Sequence, residues 1–202
     1  LPILGERFRG VARRARNLIF LFLDLGIGGG FLLNGELYRG NQGAAGEVGH
    51  MIIDINGRRC GCGSNGCLET VASGIALTHR LARRCSQSEP GQLEELLDLV
   101  RAGDSKVKAD LDEAARYIGV AAASLANIFN PELIILGGRL AVGYPPFCSQ
   151  VQEVAQPRLL PLIAHRTQVV PSSLGLDACL VGAASLVLEA VFRPLRLTSV
   201  AP

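Results

Sequence analysis

Three cysteines and one histidine lie close together in the first third of the chain, with the spacing of a metal site. The candidate ligands are His50, Cys60, Cys62 and Cys67. Three thiolates and one imidazole are a set that binds Zn²⁺ in tetrahedral geometry. Because four protein ligands leave no open coordination position, we expect a structural zinc and not a catalytic one. Such a zinc would make rigid a loop that carries two carboxylates, Glu47 and Glu69.

A disulfide bond is the alternative for this cysteine-rich loop. Cys60 and Cys62 are too close in sequence for an easy disulfide, but a bond between Cys62 and Cys67 is sterically possible. Nothing else in the sequence suggests secretion, the setting in which disulfides are common, so the pattern favours zinc. The remaining cysteines are scattered, and we expect them to be small buried hydrophobic residues: Cys85, Cys148 and Cys179.

The two glutamates beside the metal ligands are candidates for binding a sugar. Carboxylate oxygens accept directional hydrogen bonds from hydroxyl groups, and Glu47 lies three residues before His50. Glu69 also fits a structural role in the first turn of a helix, where the helix dipole favours a negative charge. The residues alone leave both interpretations open.

Two glycine-rich turns are candidates for contact with phosphate. The first follows a predicted strand and contains Gly26, Gly28 and Gly29. It leads into a hairpin, which argues against a dinucleotide-binding fingerprint, although its backbone N–H groups can still bind phosphate. A tight β-turn explains the spacing equally well. The second turn, Gly137 and Gly138, either lets a ligand approach the backbone or only connects a strand to a helix.

The composition indicates a globular domain and argues against nucleic-acid or membrane binding by this chain. Hydrophobic residues make up 49% of its 202 residues, and the net charge is only +2. The arginines near the N-terminus have no aromatic residues among them, so we interpret them as a solvated helix face. The apolar run at 18–23 is too short to span a membrane and predicts a buried strand. No signal peptide is visible, and we expect a cytoplasmic protein.

Hydrophobic periodicity predicts alternating strands and helices, which is an α/β layer architecture. The predicted strands are 17–23, 31–33, 36–38, 51–55, 132–136 and 167–170. The predicted helices are 4–15, 68–85, 92–102, 104–129, 147–158 and 177–192. Asn34-Gly35 is a hairpin turn signal, and Asn130-Pro131 ends the longest helix.

The segment that contains the metal ligands resembles the signature of the ROK family, named for repressors, open reading frames and sugar kinases. The matching residues are 43–50, Gly-Ala-Ala-Gly-Glu-Val-Gly-His, and 60–69, Cys-Gly-Cys-Gly-Ser-Asn-Gly-Cys-Leu-Glu. Residues 130–138 resemble the family's nucleotide-side strand and turn. The resemblance implies an actin-like, ribonuclease-H-like ATPase fold, in which residues 1–202 are the C-terminal lobe with an inserted zinc-binding loop.

The resemblance also implies roles for individual residues. The sugar would be bound by Glu47, His50 and Glu69, and the zinc by His50, Cys60, Cys62 and Cys67. His50 would then direct one ring nitrogen to the metal and the other toward the sugar. The family relationship further implies a homo-oligomer.

Two departures from the family's kinases bear on function. Those kinases carry an Asp-x-Gly-x-Thr phosphate motif and an Asn-Asp pair that supplies the catalytic base, and both would lie before Leu1. No residue of this chain is therefore assigned a catalytic role. The kinase glycine loop usually reads Gly-Thr-Gly-Ile-Gly-Gly-Gly, but here Asp24 and Leu25 replace its first two residues. Leu25 has no hydroxyl to donate to phosphate, and Asp24 places a negative charge beside a polyanion.

We therefore predict the sugar-sensing lobe of a ROK-type transcriptional regulator that binds a hexose or N-acetylhexosamine. Its DNA-binding helix-turn-helix would lie in an N-terminal part outside this chain. The alternative is a sugar kinase of the glucokinase or N-acetylhexosamine kinase type, which would need Mg-ATP. Because the sequence begins at Leu1 and its only methionine is Met51, we expect a fragment or a processed chain.

Overall fold

The computed structural model describes residues 1–86, 89 and 91–192, with the side chains of residues 189 and 190 left aside. The strands are β1 (Leu18–Leu23), β2 (Ile27–Leu33), β3 (Glu36–Leu37), β4 (Leu133–Gly137) and β5 (Gln168–Pro171). The helices are α1 (Pro2–Phe8), α2 (Glu69–Ala72), α3 (Gly74–Arg84), α4 (Leu93–Arg101), α5 (Ser105–Phe129), α6 (Arg139–Gly143), α7 (Pro146–Ala155), α8 (Pro161–Ala164) and α9 (Ala178–Phe192).

The strands form one mixed sheet in the order β3-β2-β1-β4-β5. The first three strands are antiparallel neighbours, while β4 is parallel to both β1 and β5. In the pairing of β1 with β4, Phe22 lies opposite Gly137. Since parallel strands end at the same edge of a sheet, the segments that follow β1 and β4 meet there.

Helices cover both faces of the sheet, as the predicted α/β layers require. Along β1, Ile19, Leu21 and Leu23 are buried in the larger core beside α5 and α7. The alternating residues Leu18 and Phe20 are buried on the other face, in a core that contains residues of α1 and α9. This alternation follows from the two-residue period of a strand, so the predicted buried strand is confirmed.

The longest helix begins and ends at the residues expected from capping chemistry. The Asp104 side chain accepts hydrogen bonds from the N–H groups of Lys106 and Val107, which caps α5. Its C-cap, Asn130, has a left-handed conformation with φ of 46°, and Pro131 follows. The predicted end of this helix is therefore confirmed.

Several local predictions are wrong. Residues 51–55 form no strand, because they pair only through an isolated bridge between Ile52 and Cys67, and the Ile55 side chain is 83% exposed. The helix predicted at 68–85 is broken at Ser73, whose side chain accepts a hydrogen bond from Ala76 N and caps α3. Residues 28–30, expected in a loop, belong to β2.

Helix α1 is also shorter than predicted, since it ends at Phe8. Of the scattered cysteines, Cys148 is buried as predicted, whereas Cys85 is exposed and Cys179 is half-buried. Among residues 1–86, 89 and 91–192, no helix has the length and apolar character needed to cross a membrane.

Candidate functional site

The structure brings the four predicted metal ligands together. The ligand atoms of His50, Cys60, Cys62 and Cys67 all lie within 4.8 Å of one another. The Sγ atom of Cys60 is 3.6 Å from Nδ1 of His50, and the Sγ atoms of Cys62 and Cys67 are also 3.6 Å apart. Tetrahedral zinc with ordinary bond lengths separates two sulfurs by about 3.8 Å and a sulfur from a nitrogen by about 3.6 Å. The cluster therefore fits a zinc ion.

The cysteines of this cluster are free thiols. A disulfide requires two sulfurs about 2.05 Å apart, much closer than the Cys62 and Cys67 sulfurs are. The geometry thus favours the metal over the alternative disulfide.

Backbone turns hold the cysteines in place. Cys60 N donates to Ser64 O at 2.8 Å, and Gly63 N donates to Cys60 O at 3.0 Å. Gly66 has a φ of +72°, and a Cβ atom there would lie 1.5 Å from the carbonyl oxygen of Asp54. Only glycine therefore permits this turn, which sets Cys67 beside the other ligands.

The electrostatics of the cluster call for a cation. Burial, together with the neighbouring thiols, raises the pKa of Cys67 to about 12. Hydrogen bonding by the Ser64 backbone is the main cause that lowers the pKa of the exposed Cys62 thiol. Thiols this close repel one another as thiolates, so a bound divalent cation would be needed to hold all of them in the ligating form.

His50 lies between the cysteine cluster and Glu47. Its Nδ1 atom points to Cys60, while its Nε2 atom is 3.9 Å from a carboxylate oxygen of Glu47. His50 belongs to the 3₁₀ turn Val48–His50, and Glu47 is the N-cap of that turn. The Glu47 side chain is 71% exposed and that of His50 is 37% exposed. Their polar atoms are thus open to a ligand.

Glu69 reaches the same region from α2. Its carboxylate accepts a hydrogen bond from Ile27 N at 3.1 Å. The turn that carries His50 packs on the same residue, since a Cβ on Gly49 would lie 2.4 Å from Ile27 O. The start of β2 therefore joins the segments that carry the predicted sugar ligands. We call Glu47, His50 and Glu69 the His50 face.

The glycines predicted to contact phosphate have different surroundings. A Cβ on Gly26 would lie 2.9 Å from the Glu69 carboxylate, one on Gly29 would lie 2.5 Å from Val48, and one on Gly28 would meet no atom within 4 Å. A Cβ on Gly137 would overlap the Phe20 ring, and one on Gly138, whose φ is +90°, would overlap Leu23 O. Close packing against β1 is thus a sufficient reason for Gly137 and Gly138, and a nucleotide role for the five glycines stays a prediction.

Sequence reasoning missed the residues that surround Asp24. The Nε atom of Arg139 lies 3.0 Å from both carboxylate oxygens of Asp24, and Nη2 also donates to Oδ1. The backbone N–H groups of Leu25 and Arg139 donate to the same carboxylate at 2.8 and 3.1 Å. The other end of the guanidinium donates to Glu94. We call this arrangement of Asp24, Leu25, Glu94 and Arg139 the Asp24 cradle.

A signal for this pair exists in the register of the sheet. Phe22 of β1 lies opposite Gly137 of β4. Asp24 follows Phe22 by two residues and Arg139 follows Gly137 by two residues, so the register brings Asp24 and Arg139 together. Burial alone would raise the pKa of Asp24, but the hydrogen bonds from Arg139 and Leu25 outweigh it and hold the pKa below its ordinary 3.8. Asp24 is therefore an ionised carboxylate that is fully hydrogen-bonded within the chain.

Residues 2–190 match the ROK family. The chain belongs to the ROK family. It is 34% identical to the xylose repressor of Bacillus spizizenii over 185 residues, which cover 92% of this chain and 47% of the repressor. The chain thus spans about half the length of that relative, and the predicted family is confirmed.

Solved structures of the family share the fold. A ROK family glucokinase from Streptomyces griseus, in complex with glucose and AMPPNP, has a TM-score of 0.80 and 29% identity, over 92% of this chain and 64% of that one. A ROK family transcriptional regulator, a homologue of the E. coli MLC protein, has a TM-score of 0.80 and 30% identity, over 91% of this chain and 48% of that one. The predicted actin-like ATPase fold is therefore confirmed.

Proposed function

We propose that this chain is the carbohydrate-sensing lobe of a ROK transcriptional regulator, with a hexose or N-acetylhexosamine as effector. The observation that carries the proposal is the position of His50, with one ring nitrogen at the cysteine cluster and the other 3.9 Å from Glu47. The similarity to a xylose repressor and to a ROK regulator supports it. A DNA-binding element would belong to a part of the protein outside this chain.

The proposed sugar site uses the chemistry of the His50 face. His50, with Nδ1 directed at the zinc ligands, would carry its proton on Nε2 and donate it to a sugar oxygen. Glu47 and Glu69 would accept hydrogen bonds from sugar hydroxyls. The zinc would be structural, held by His50, Cys60, Cys62 and Cys67, and would fix the orientation of the imidazole.

Regulation would follow from coupling between sugar and DNA sites. A sugar that binds one arrangement of the protein better than another shifts the equilibrium between them, and the same free energy changes operator affinity. We further propose that the protein is a cytoplasmic homo-oligomer. Exposed apolar side chains on α9 support association, among them Leu180, Val187 and Phe192. Sedimentation of a single monomeric species at high concentration would contradict that part.

A sugar kinase is the second candidate, favoured by the similarity to the glucokinase that binds glucose and AMPPNP. A kinase needs a base near the sugar hydroxyl and Mg-ATP at the glycine turns. Asp24 and Asp54 are the nearby aspartates, but Asp24 is paired with Arg139 and Asp54 accepts a hydrogen bond from Asn56 N in a turn. Both carboxylates are therefore engaged within the chain, which disfavours either of them as the base.

The decisive experiment measures binding and turnover on the complete gene product that contains this chain. Calorimetry with a panel of hexoses and N-acetylhexosamines should show saturable binding of at least one sugar. A coupled assay with the same sugar and Mg-ATP should show no phosphorylation above background. Rapid ATP-dependent phosphorylation of the sugar would contradict the regulator hypothesis and support the kinase hypothesis. Absence of binding across the panel would reject the sugar site.

A further inference from the structure

Helix α2, which begins with Glu69, has only four residues, and its end lacks the donor that a longer helix would supply. In a continuous helix Ile75 N would donate to Val71 O, but Ile75 N donates to Leu25 O at 3.0 Å instead. A helix this short is not stable by itself, and its last carbonyl groups need other donors. The position of Glu69 therefore depends on contacts from outside α2.

The Arg80 guanidinium supplies the missing donor. Its Nη2 atom donates to Val71 O at 2.9 Å, and its Nη1 atom donates to Glu113 of α5 at 2.5 Å. Asp110, also on α5, lies 3.7 Å from the same Nη1 atom. The Arg80 side chain is only 12% exposed, so water and salt screen these pairs less than surface pairs. One side chain thus holds the end of α2 against the longest helix.

The metal loop holds the beginning of α2. The Thr70 hydroxyl donates to the carbonyl oxygen of Cys67, the last of the predicted zinc ligands, at 2.7 Å. The Glu69 carboxylate, in the first turn of the same helix, accepts the hydrogen bond from Ile27 N. The metal loop therefore fixes one end of α2 and Arg80 fixes the other.

We propose that Arg80 is a positioning residue, which keeps the Glu69 carboxylate at the start of β2, where a sugar hydroxyl would meet it. The described hydrogen bonds of Arg80 go to Val71 and Glu113, so it acts on the His50 face through α2. The role in sugar binding rests on the proposed function. The position of Glu69 is a property of the chain alone and is measured without a ligand.

The first test is the exchange of the Ile27 amide hydrogen in Arg80→Met, followed by NMR on the complete gene product with isotope-labelled isoleucine. Methionine keeps the apolar stem and removes the guanidinium. Ile27 should exchange at least about tenfold faster, as expected when a hydrogen bond to a charged group is lost. The Ile53 amide, which donates to Gly66 O in the metal loop, is the internal reference and should change little. An unchanged rate at Ile27, or equal acceleration at both amides, would overturn the proposal.

Arg84→Met is the matched control. Arg84 lies one turn further along α3 and pairs with the same Asp110, whereas only the Arg80 guanidinium is also described on α2. Exchange at Ile27 should stay unchanged in this control. An acceleration equal to that of Arg80→Met would show that losing any pair with Asp110 suffices, and it would contradict a specific role for Arg80.

Arg80→Lys is measured in parallel because loss of a buried ion pair lowers stability. It keeps the charge, but a single ammonium does not reproduce the guanidinium fork that joins Val71 O to Glu113. Ile27 exchange should therefore accelerate to a smaller extent. If Arg80→Met does not fold, this variant decides the question, and native exchange at Ile27 would reject the positioning role.

The second test is sugar binding by the same variants at full zinc content. Arg80→Met should weaken binding about tenfold, as loss of the Glu69 hydrogen bond would. Added to Glu69→Ala, it should cause no further loss, because a residue that acts through Glu69 then has nothing to position. Additive losses would overturn the proposal. If the native protein binds no sugar, the sugar site itself fails, and Ile27 exchange still decides whether Arg80 positions Glu69.

Discussion

The His50 face and the Asp24 cradle both adjoin the turn between β1 and β2, and they differ in how their charges are satisfied. The Glu47 carboxylate is 71% exposed and stays beyond hydrogen-bond distance from His50. The Asp24 carboxylate is 15% exposed and accepts hydrogen bonds from two backbone N–H groups and a guanidinium. Glu47 thus presents its carboxylate to solvent, whereas Asp24 uses its carboxylate within the chain.

This difference supports the proposal that the His50 face binds a ligand, whereas the Asp24 cradle stabilises the fold. A polar group without an internal partner can exchange water for a ligand at little cost, whereas a group with internal partners must lose them first. In family kinases, sugar and nucleotide regions must both admit a ligand. Of these two regions of the described chain, the His50 face is the more exposed one, which supports the proposal of a regulator that recognises a sugar.

Removal of the metal should have the largest effect and tests what holds the His50 face together. Cys60→Ser should reduce zinc from one per chain to nearly none, as measured by elemental analysis. A metal that binds only the folded state raises the free energy of unfolding by about 2.7 kcal/mol when its free concentration is one hundred times Kd. Loss of the metal should therefore also lower the melting temperature. Cys85→Ser, at an exposed cysteine outside the cluster, is the control and should retain metal. A Cys60→Ser variant with full zinc content would reject the metal site.

Glu69→Gln should weaken sugar binding by about 1–3 kcal/mol, the usual effect of losing a hydrogen bond to a charged group. Calorimetry with the sugar that the native protein binds gives the change directly. The amide can still accept from Ile27 N, so the turn should persist and melting temperature should change little. Glu153→Gln, on an exposed position of α7, provides a matched loss of charge. Equal sugar affinity in both variants would exclude Glu69 from the site.

Arg139→Gln should destabilise the chain by about 1–2 kcal/mol at neutral pH, since it leaves the Asp24 carboxylate with fewer donors. The Asp24 pKa is lowered in the folded state, so its contribution to stability is present above pH 3.8 and is lost as pH falls below that value. The difference in the free energy of unfolding between native chain and variant should therefore shrink in acid. Denaturant unfolding at several pH values measures it.

Arg101→Gln is the control for that measurement, because the Arg101 pair with Asp98 is more exposed than the Asp24 pair. It should change stability by less than about 0.5 kcal/mol at any pH. If Arg139→Gln behaved like this control, the Asp24 cradle would contribute nothing to the fold, and the contrast between the two regions would be lost.

Glu47→Gln should have the smallest effect, weakening sugar binding by about 0.5–1 kcal/mol because water screens an exposed carboxylate. The same calorimetric titration measures it beside Glu69→Gln. A larger loss for Glu47 than for Glu69 would reverse their order and show that the exposed glutamate becomes enclosed when sugar binds.

The sequence by itself determined the features that depend on neighbouring residues. The four metal ligands were recognisable because they lie between residues 50 and 67, so that short turns alone bring them together. Helix α5 was predictable because its cap and its terminating Asn130-Pro131 act on adjacent backbone groups. The hairpin at Asn34-Gly35 and the buried strand β1 follow equally local rules.

Only the tertiary structure decided how distant segments meet. The sequence showed Asp24 as a charge that disfavours phosphate, but its partner Arg139 is 115 residues away and adjoins it only because β1 and β4 are parallel neighbours. Likewise, the predicted helix 68–85 is interrupted at Ser73, next to which Gly74 N donates to Asp24 O, 50 residues away in sequence. Residues 51–55 have the pattern of a strand, yet they form only one isolated bridge and belong to the metal loop. Local patterns set what each segment favours, and long-range contacts set which segments become partners.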